Sequence, residues 1–294
     1  MFSSTSDRRR HSLSGILRGM NGLSINTVTL AVADIKKMVQ FYTSTIGLSV
    51  IRQEDSKTVL GTGQTPLLIL KEENSLPRER LGSAGLYHFA ILFASQKHLA
   101  QTLLRVFEHT PHLFTGSADH LVSEAFYLND PEGNGIELYW DRDQSTWEWV
   151  GNNVVMATRY IDPGEYIQLH LSREDQNPHK KIGHMHLKVG NIETAKHFYV
   201  DILGFNITAE LPQALFISVD KYHHHLGLNT WESSGAEKRE SSLGLHSFEM
   251  GISEVEFEHL INRLKNHNIQ FEKEEQTITL TDPWGTRLVF YCER

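Results

Sequence analysis

Residues 28–50 read VTLAVADIKKMVQFYTSTIGLSV, and residues 185–207 read MHLKVGNIETAKHFYVDILGFNI. The two stretches align without a gap. Phe41-Tyr42 falls on Phe198-Tyr199, Asp34 on Asn191 and Gly47 on Gly204, each 157 residues apart. Further along, Asp130-Pro131-x-Gly133 returns as Asp282-Pro283-x-Gly285. A repeat of this length means two copies of one structural module, about 22–141 and 182–294. Residues 142–181, rich in Asn, Asp, Glu and Gly, read as a linker, and residues 1–21 as a tail outside the fold.

Each module divides again. Residues 26–34, NTVTLAVAD, alternate apolar and polar as a half-buried strand does. Asp34 is placed to cap a helix that carries Ile35, Met38, Val39 and Tyr42 at helical spacing, and Gly47 to end it. Strands are expected near 48–53, 57–62 and 66–71. The order strand, helix, three strands starts again at Leu86, with a helix over 96–109 and strands near 121–128 and 135–140. It starts twice more, near Ile182 and Gly244. The expected fold class is α+β, with four βαβββ units in two tandem modules. A curved sheet covered by its helix on one face needs a second unit to close the other, and the cavity between two such units is lined by alternate strand residues.

That cavity is where polar residues on inward strand faces acquire meaning. His184 and His186 stand two apart on one strand, and His88 holds the matching place in the second unit. Glu137 lies in Gly135-Ile136-Glu137-Leu138-Tyr139 with apolar neighbours on both sides. A carboxylate in such surroundings is costly unless a cation or donors compensate it. Two histidines and one carboxylate with open positions left over form a facial triad suited to Fe(II), and Mn(II), Zn(II) or Ni(II) are the alternatives.

The run 119–137, DHLVSEAFYLNDPEGNGIE, resembles the signature of the type I extradiol ring-cleavage dioxygenases, of the Bacillus catechol-2,3-dioxygenase kind, within the vicinal oxygen chelate superfamily. Ala118 departs from the residues usual at the edge of that signature. The resemblance implies His88, Glu137 and His184 as metal ligands, His120 as acid–base residue, and Tyr127 as a hydrogen-bonding group for substrate or oxygen. The triple His223-His224-His225 resembles the segment carrying the family's oxygen-pocket histidine. Motif alignment favours His224 for a catalytic role, and strand alternation also admits His225. His186 and His225 stand as candidate substrate contacts. Implied with these are a small aromatic diol and O2 as reactants and a ring-opened semialdehyde as product. A glyoxalase-like or thiol-transferase metalloenzyme, with His225 as a fourth ligand, and a non-catalytic small-molecule binder are the competing readings.

The ligand set also says which units must meet. Unit four has Ser247 (or His246) in place of His88 and Val289 in place of Glu137, and unit one has Thr27 in place of His184. The intact halves belong to units two and three. These are expected to face each other across the module boundary, within one chain or between the chains of a homodimer. Units one and four would then enclose a metal-free cavity. Trp140, Trp147, Trp149 and Trp231 could each wall a cavity for an aromatic ring or pack in core or linker. The net charge of −8 argues against nucleic acid, which needs a basic face. No run approaches the 18 apolar residues of a membrane helix, so no membrane partner is expected. One cysteine, Cys292, excludes a disulfide framework and fits a reducing cytoplasm.

Overall fold

The computed structural model describes residues 22–172 and 179–293; the expected tail over 1–21 and part of the linker lie outside the described residues. Unit one comprises β1 (Ser24–Val32), α1 (Ile35–Ser44), β2 (Ser49–Glu54), β3 (Lys57–Thr62) and β4 (Thr65–Glu72). Unit two follows with β5 (Gly85–Phe93), α2 (Gln96–His109), β6 (Phe114–Asp119), β7 (Ser123–Asn129) and β8 (Gly135–Asp141). The connecting segment carries a short hairpin, β9 (Trp149–Val150) and β10 (Asn153–Val154), and a helix, α3 (Pro163–His170). Unit three is β11 (Lys180–Lys188), α4 (Ile192–Lys196), β12 (Asn206–Leu211), β13 (Ala214–Ser218) and β14 (Leu226–Asn229). Unit four is β15 (Gly244–Ser253), α5 (Glu254–Asn266), β16 (Glu272–Lys273), β17 (Thr277–Thr281) and β18 (Arg287–Glu293).

Local chemistry sets the boundaries. The four unit helices start at side chains that accept from the backbone N–H three residues on: Asp34, Ser95, Asn191 and Ser253. In every unit the first strand pairs parallel to the last, and each helix covers one face. The repeated sequence marks a repeated contact. Tyr42 Oη donates to Asp130 Oδ2 at 2.8 Å, and Tyr199 Oη to Asp282 Oδ2 at 2.9 Å, each joining the two units of one module in the dark of the core. Both aspartates also take turn backbone N–H groups, which is why Asp-Pro-x-Gly recurs.

The sheets pair the other way, across modules. β1 runs antiparallel to β15, joining units one and four, and β5 runs antiparallel to β11, joining units two and three. Each pair makes a curved eight-stranded array, and a single residue pair, Ile25 with Ile182, links them into one sheet. Ser247 and Val289 lie in the array opposite to His88, on β15 and β18. The linker is more than a tether: Trp147 and Val154 are buried against Val122, and Tyr166 packs on Phe126. No helix among the described residues is long and apolar enough to cross a membrane.

Candidate metal centre

One transverse row of paired residues builds the site. His184 on β11 faces Ala90 on β5, Ala90 faces Glu137 on β8, Glu137 faces Tyr127 on β7, and Tyr127 faces Gly116 on β6. Paired residues project to the same side of a sheet, so this row shares one face, on which Glu137, Tyr127 and Gly116 line a cavity. Ala90, between His184 and Glu137, carries only a methyl, and the two flanking side chains meet, Nε2 to Oε2, at 3.0 Å. His88, two residues along β5 from Ala90, pairs with His186.

The register depends on an irregularity at Gly183. Ile182 pairs with Ile91 while His184 pairs with Ala90, so one extra residue sits on β11. The bulge sends Ile182 into the core and His184 toward Glu137 and His88, although the two are only two residues apart. Gly183 is required there, because a Cβ would lie 1.7 Å from the Tyr139 hydroxyl.

His88, Glu137 and His184 are 6%, 3% and 1% exposed. The Nε2 atoms of His88 and His184 converge on one carboxylate oxygen, Glu137 Oε2, at 2.9 and 3.0 Å. The His88 approach is not aligned as a hydrogen bond, which leaves its Nε2 a buried polar atom without a hydrogen-bond partner. Among the described residues this is the one trio of potential ligands whose donor atoms all lie within 4.8 Å. Burial pushes the Glu137 carboxyl up, but His184 and His88 outweigh it and hold it well below the usual carboxylate range. Burial pushes the His184 imidazole down, toward the neutral form that ligates. Two imidazole nitrogens aimed at one ionised oxygen, one of them orphaned, fit a divalent cation.

His120 and Tyr127 form a second pair beside this trio. The Ala157 carbonyl can only accept, so His120 Nδ1 carries the proton donated to it at 2.7 Å. A neutral His120 is thereby left with its lone pair on Nε2, 2.6 Å from the Tyr127 hydroxyl. Burial, then the Glu137 charge, raises the Tyr127 phenol well above its ordinary value, so it stays a proton donor. His120 sits on a tight turn in which Leu121 has φ of 71°, a strained conformation for a branched side chain.

The triple histidine splits. His224 lines the cavity, its ring 4.2 Å from that of His184. His225 is not among the residues that line it: its Nδ1 accepts from Val219 N–H and meets Ser218 Oγ at 2.8 Å. His186 lines the cavity with its Nε2 taken by the Asn229 amide at 3.0 Å. His223, fully buried, presents Nε2 to Asp141 Oδ1 at 2.9 Å and Nδ1 to His224 Nδ1 at 2.7 Å. Asp141 also accepts from Tyr222, which meets Tyr139. With His223 neutral, its Nε2–H goes to Asp141, its Nδ1 accepts from His224, and the His224 lone pair lies on Nε2. Sequence reasoning named neither Asp141 nor its link to His223. Of the tryptophans, Trp231 lines the cavity, while Trp147, in the connector, is buried against Val122.

A family model described as Glyoxalase/Bleomycin resistance protein/Dioxygenase superfamily matches residues 24–138 and 181–290. The chain belongs to this superfamily. It is 38% identical over 270 residues to a protein named catechol-2,3-dioxygenase from Bacillus subtilis (strain 168), covering 88% of this chain and 93% of that one. Two solved structures share the superfamily's fold: a putative dioxygenase from Bacillus subtilis subsp. subtilis str. 168 (10% identity, TM-score 0.61, 94% of this chain and 86% of that one) and glyoxalase I from Zea mays (15% identity, TM-score 0.56, 92% of each). At these identities the structures speak for the fold alone. The superfamily signature therefore sits on a chain whose metal-competent trio spans both matched segments.

Proposed function

We propose that this protein is an extradiol ring-cleavage dioxygenase that takes a catechol and O2 to a ring-opened semialdehyde, with Fe(II), held by His88, Glu137 and His184, as its metal. The observation that carries this reading is the juxtaposition of that trio with the His120–Tyr127 pair on one cavity face. The catechol-2,3-dioxygenase relative supports it. Fe(II) in a site of this kind supplies the redox and Lewis-acid chemistry through which a catechol and dioxygen react. Both atoms of O2 enter the product, so no further reductant is consumed.

The chain's own groups then have defined work. His120 Nε2 is a fixed acceptor that can take up a substrate proton through the Tyr127 hydroxyl and return it to the product. Tyr127 orients the bound diol and steadies developing charge. His224 offers Nε2 to a substrate hydroxyl from the opposite wall. The glyoxalase-like reading leaned on His225 as a fourth ligand, and His225 lies outside the trio, with its Nδ1 held by Val219 N–H and Ser218.

Fe(II)-loaded protein mixed aerobically with catechol is expected to turn yellow. No colour, together with turnover of a glutathione hemithioacetal, would replace this reading with the isomerase one. His120→Ala should lower turnover about 10²–10⁴-fold with iron content near wild type, whereas Glu137→Ala should lose the iron. Equal iron in both variants removes Glu137 from the metal.

A further inference from the structure

We propose that the natural diol carries a bulky, uncharged, apolar substituent, aryl or alkyl, and that Leu211, Phe216 and Trp231 select for it. This rests on the catechol reading of the site. The cavity over the metal trio encloses about 1010 Å³, the top of the roughly 300–1,000 Å³ range of sites that hold drug-sized ligands. A single-ring diol reaching from the trio to His224 fills a small part of it. The cavity's apolar lining includes Leu211, Phe216 and Trp231 from unit three and Val154, Val155 and Met156 from the connector.

Two of these side chains are left in water. Trp231 is 47% exposed and Leu211 54% exposed, although both line a cavity. Trp231 is nonetheless held in place, its ring edge-on to Tyr87 at 5.4 Å and 5.5 Å from His186. A fixed, exposed aromatic side chain in a cavity with other apolar lining residues is built to be covered by an apolar group. Charge points the same way. Lys188, at this wall, is held by the carboxylate of Glu79, and Glu232 adds a negative charge beside Trp231. An anionic substituent would meet that charge, and a neutral one would not.

Kinetics on the Fe(II)-loaded full chain with catechol, 3-phenylcatechol, 4-hexylcatechol and 3,4-dihydroxyphenylacetate test this. kcat/KM for at least one of the two bulky neutral diols is expected to exceed that for catechol and for the carboxylated diol on the order of tenfold or more, since the buried apolar area grows with the substituent. Gly116→Phe fills the cavity from β6, where an added Cβ meets nothing within 4 Å, and Leu211→Asn removes apolar wall at an exposed position. Each should lower the ratio of bulky-diol to catechol kcat/KM about fivefold or more. Catechol cleaved as well as both bulky diols, or ratios unmoved by both substitutions, overturns this inference alone. Failure to cleave any of the four diols overturns the catechol reading as well.

Discussion

A carboxylate accepts hydrogen bonds and does not give them, and this makes Asp141 the residue that sets the proton on His223 and, through it, on His224. Asp141→Asn replaces an acceptor by a group that also donates, and the chain of tautomers loses its anchor. Turnover is expected to fall roughly 10- to 100-fold with iron content unchanged and with the pH–rate profile displaced; an unaltered profile would make Asp141 a packing residue only. The candidacy of His120, Tyr127 and Glu137 was readable in the sequence, because all three fall in one contiguous run with a known resemblance. Asp141 was not, because its meaning arises only where β8 of unit two meets the loop before β14 of unit three. The partners of His225 were hidden for a related reason. Strand alternation places a residue on a face, but the ring followed the donors at Ser218 and Val219.

At the scale of elements, the repeated Phe-Tyr and Asp-Pro-x-Gly motifs were visible as a pattern, and the structure supplies their physics: a phenol capping a buried carboxylate, twice. Burial raises both aspartates, and the tyrosine hydroxyl is among the donors that offset part of that rise. Tyr42→Phe and Tyr199→Phe should each destabilise the fold by about 1–3 kcal/mol in urea unfolding, with no loss of iron. A change below experimental error in both would show that the turn N–H groups suffice for the carboxylates. Four strand–helix starts were readable from periodicity and caps. β6 was not marked, since Phe114-Thr115-Gly116-Ser117-Ala118-Asp119 closes the sheet as an edge strand and has few apolar residues to alternate. The bulge at Gly183 was also hidden, because it is imposed by a tyrosine in another unit.

At the scale of the whole molecule, buried neutral histidines tie stability to pH. Burial, with His223 and His184 nearby, brings His225 down to about 3, and His186 and His224 also titrate well below 6.5. Between these folded values and 6.5 the unfolded chain binds protons that the native chain refuses. Stability is therefore complete above about pH 6.5 and declines as pH falls, by up to about 1.4 kcal/mol per pH unit for each such histidine. Glu137, held low, adds loss of the same sign further down. Urea midpoints at pH 7.5 and 5 should differ accordingly, and His225→Gln should flatten the slope; parallel slopes would exclude His225. Fe(II) at a hundred times its dissociation constant should add about 2.7 kcal/mol, read as a higher Tm that a chelator abolishes and that Glu137→Ala never shows. The crossing of modules has a further result for biosynthesis. His88 and Glu137 emerge from the ribosome well before His184, so the β5 edge waits unpaired while the connector is still being made. Any second nascent chain offering its own β11 during that interval can complete the same ligand trio. Intertwined, domain-swapped dimers with working metal sites are thus the misassembly this topology invites, and slow, dilute refolding should favour the monomeric closure.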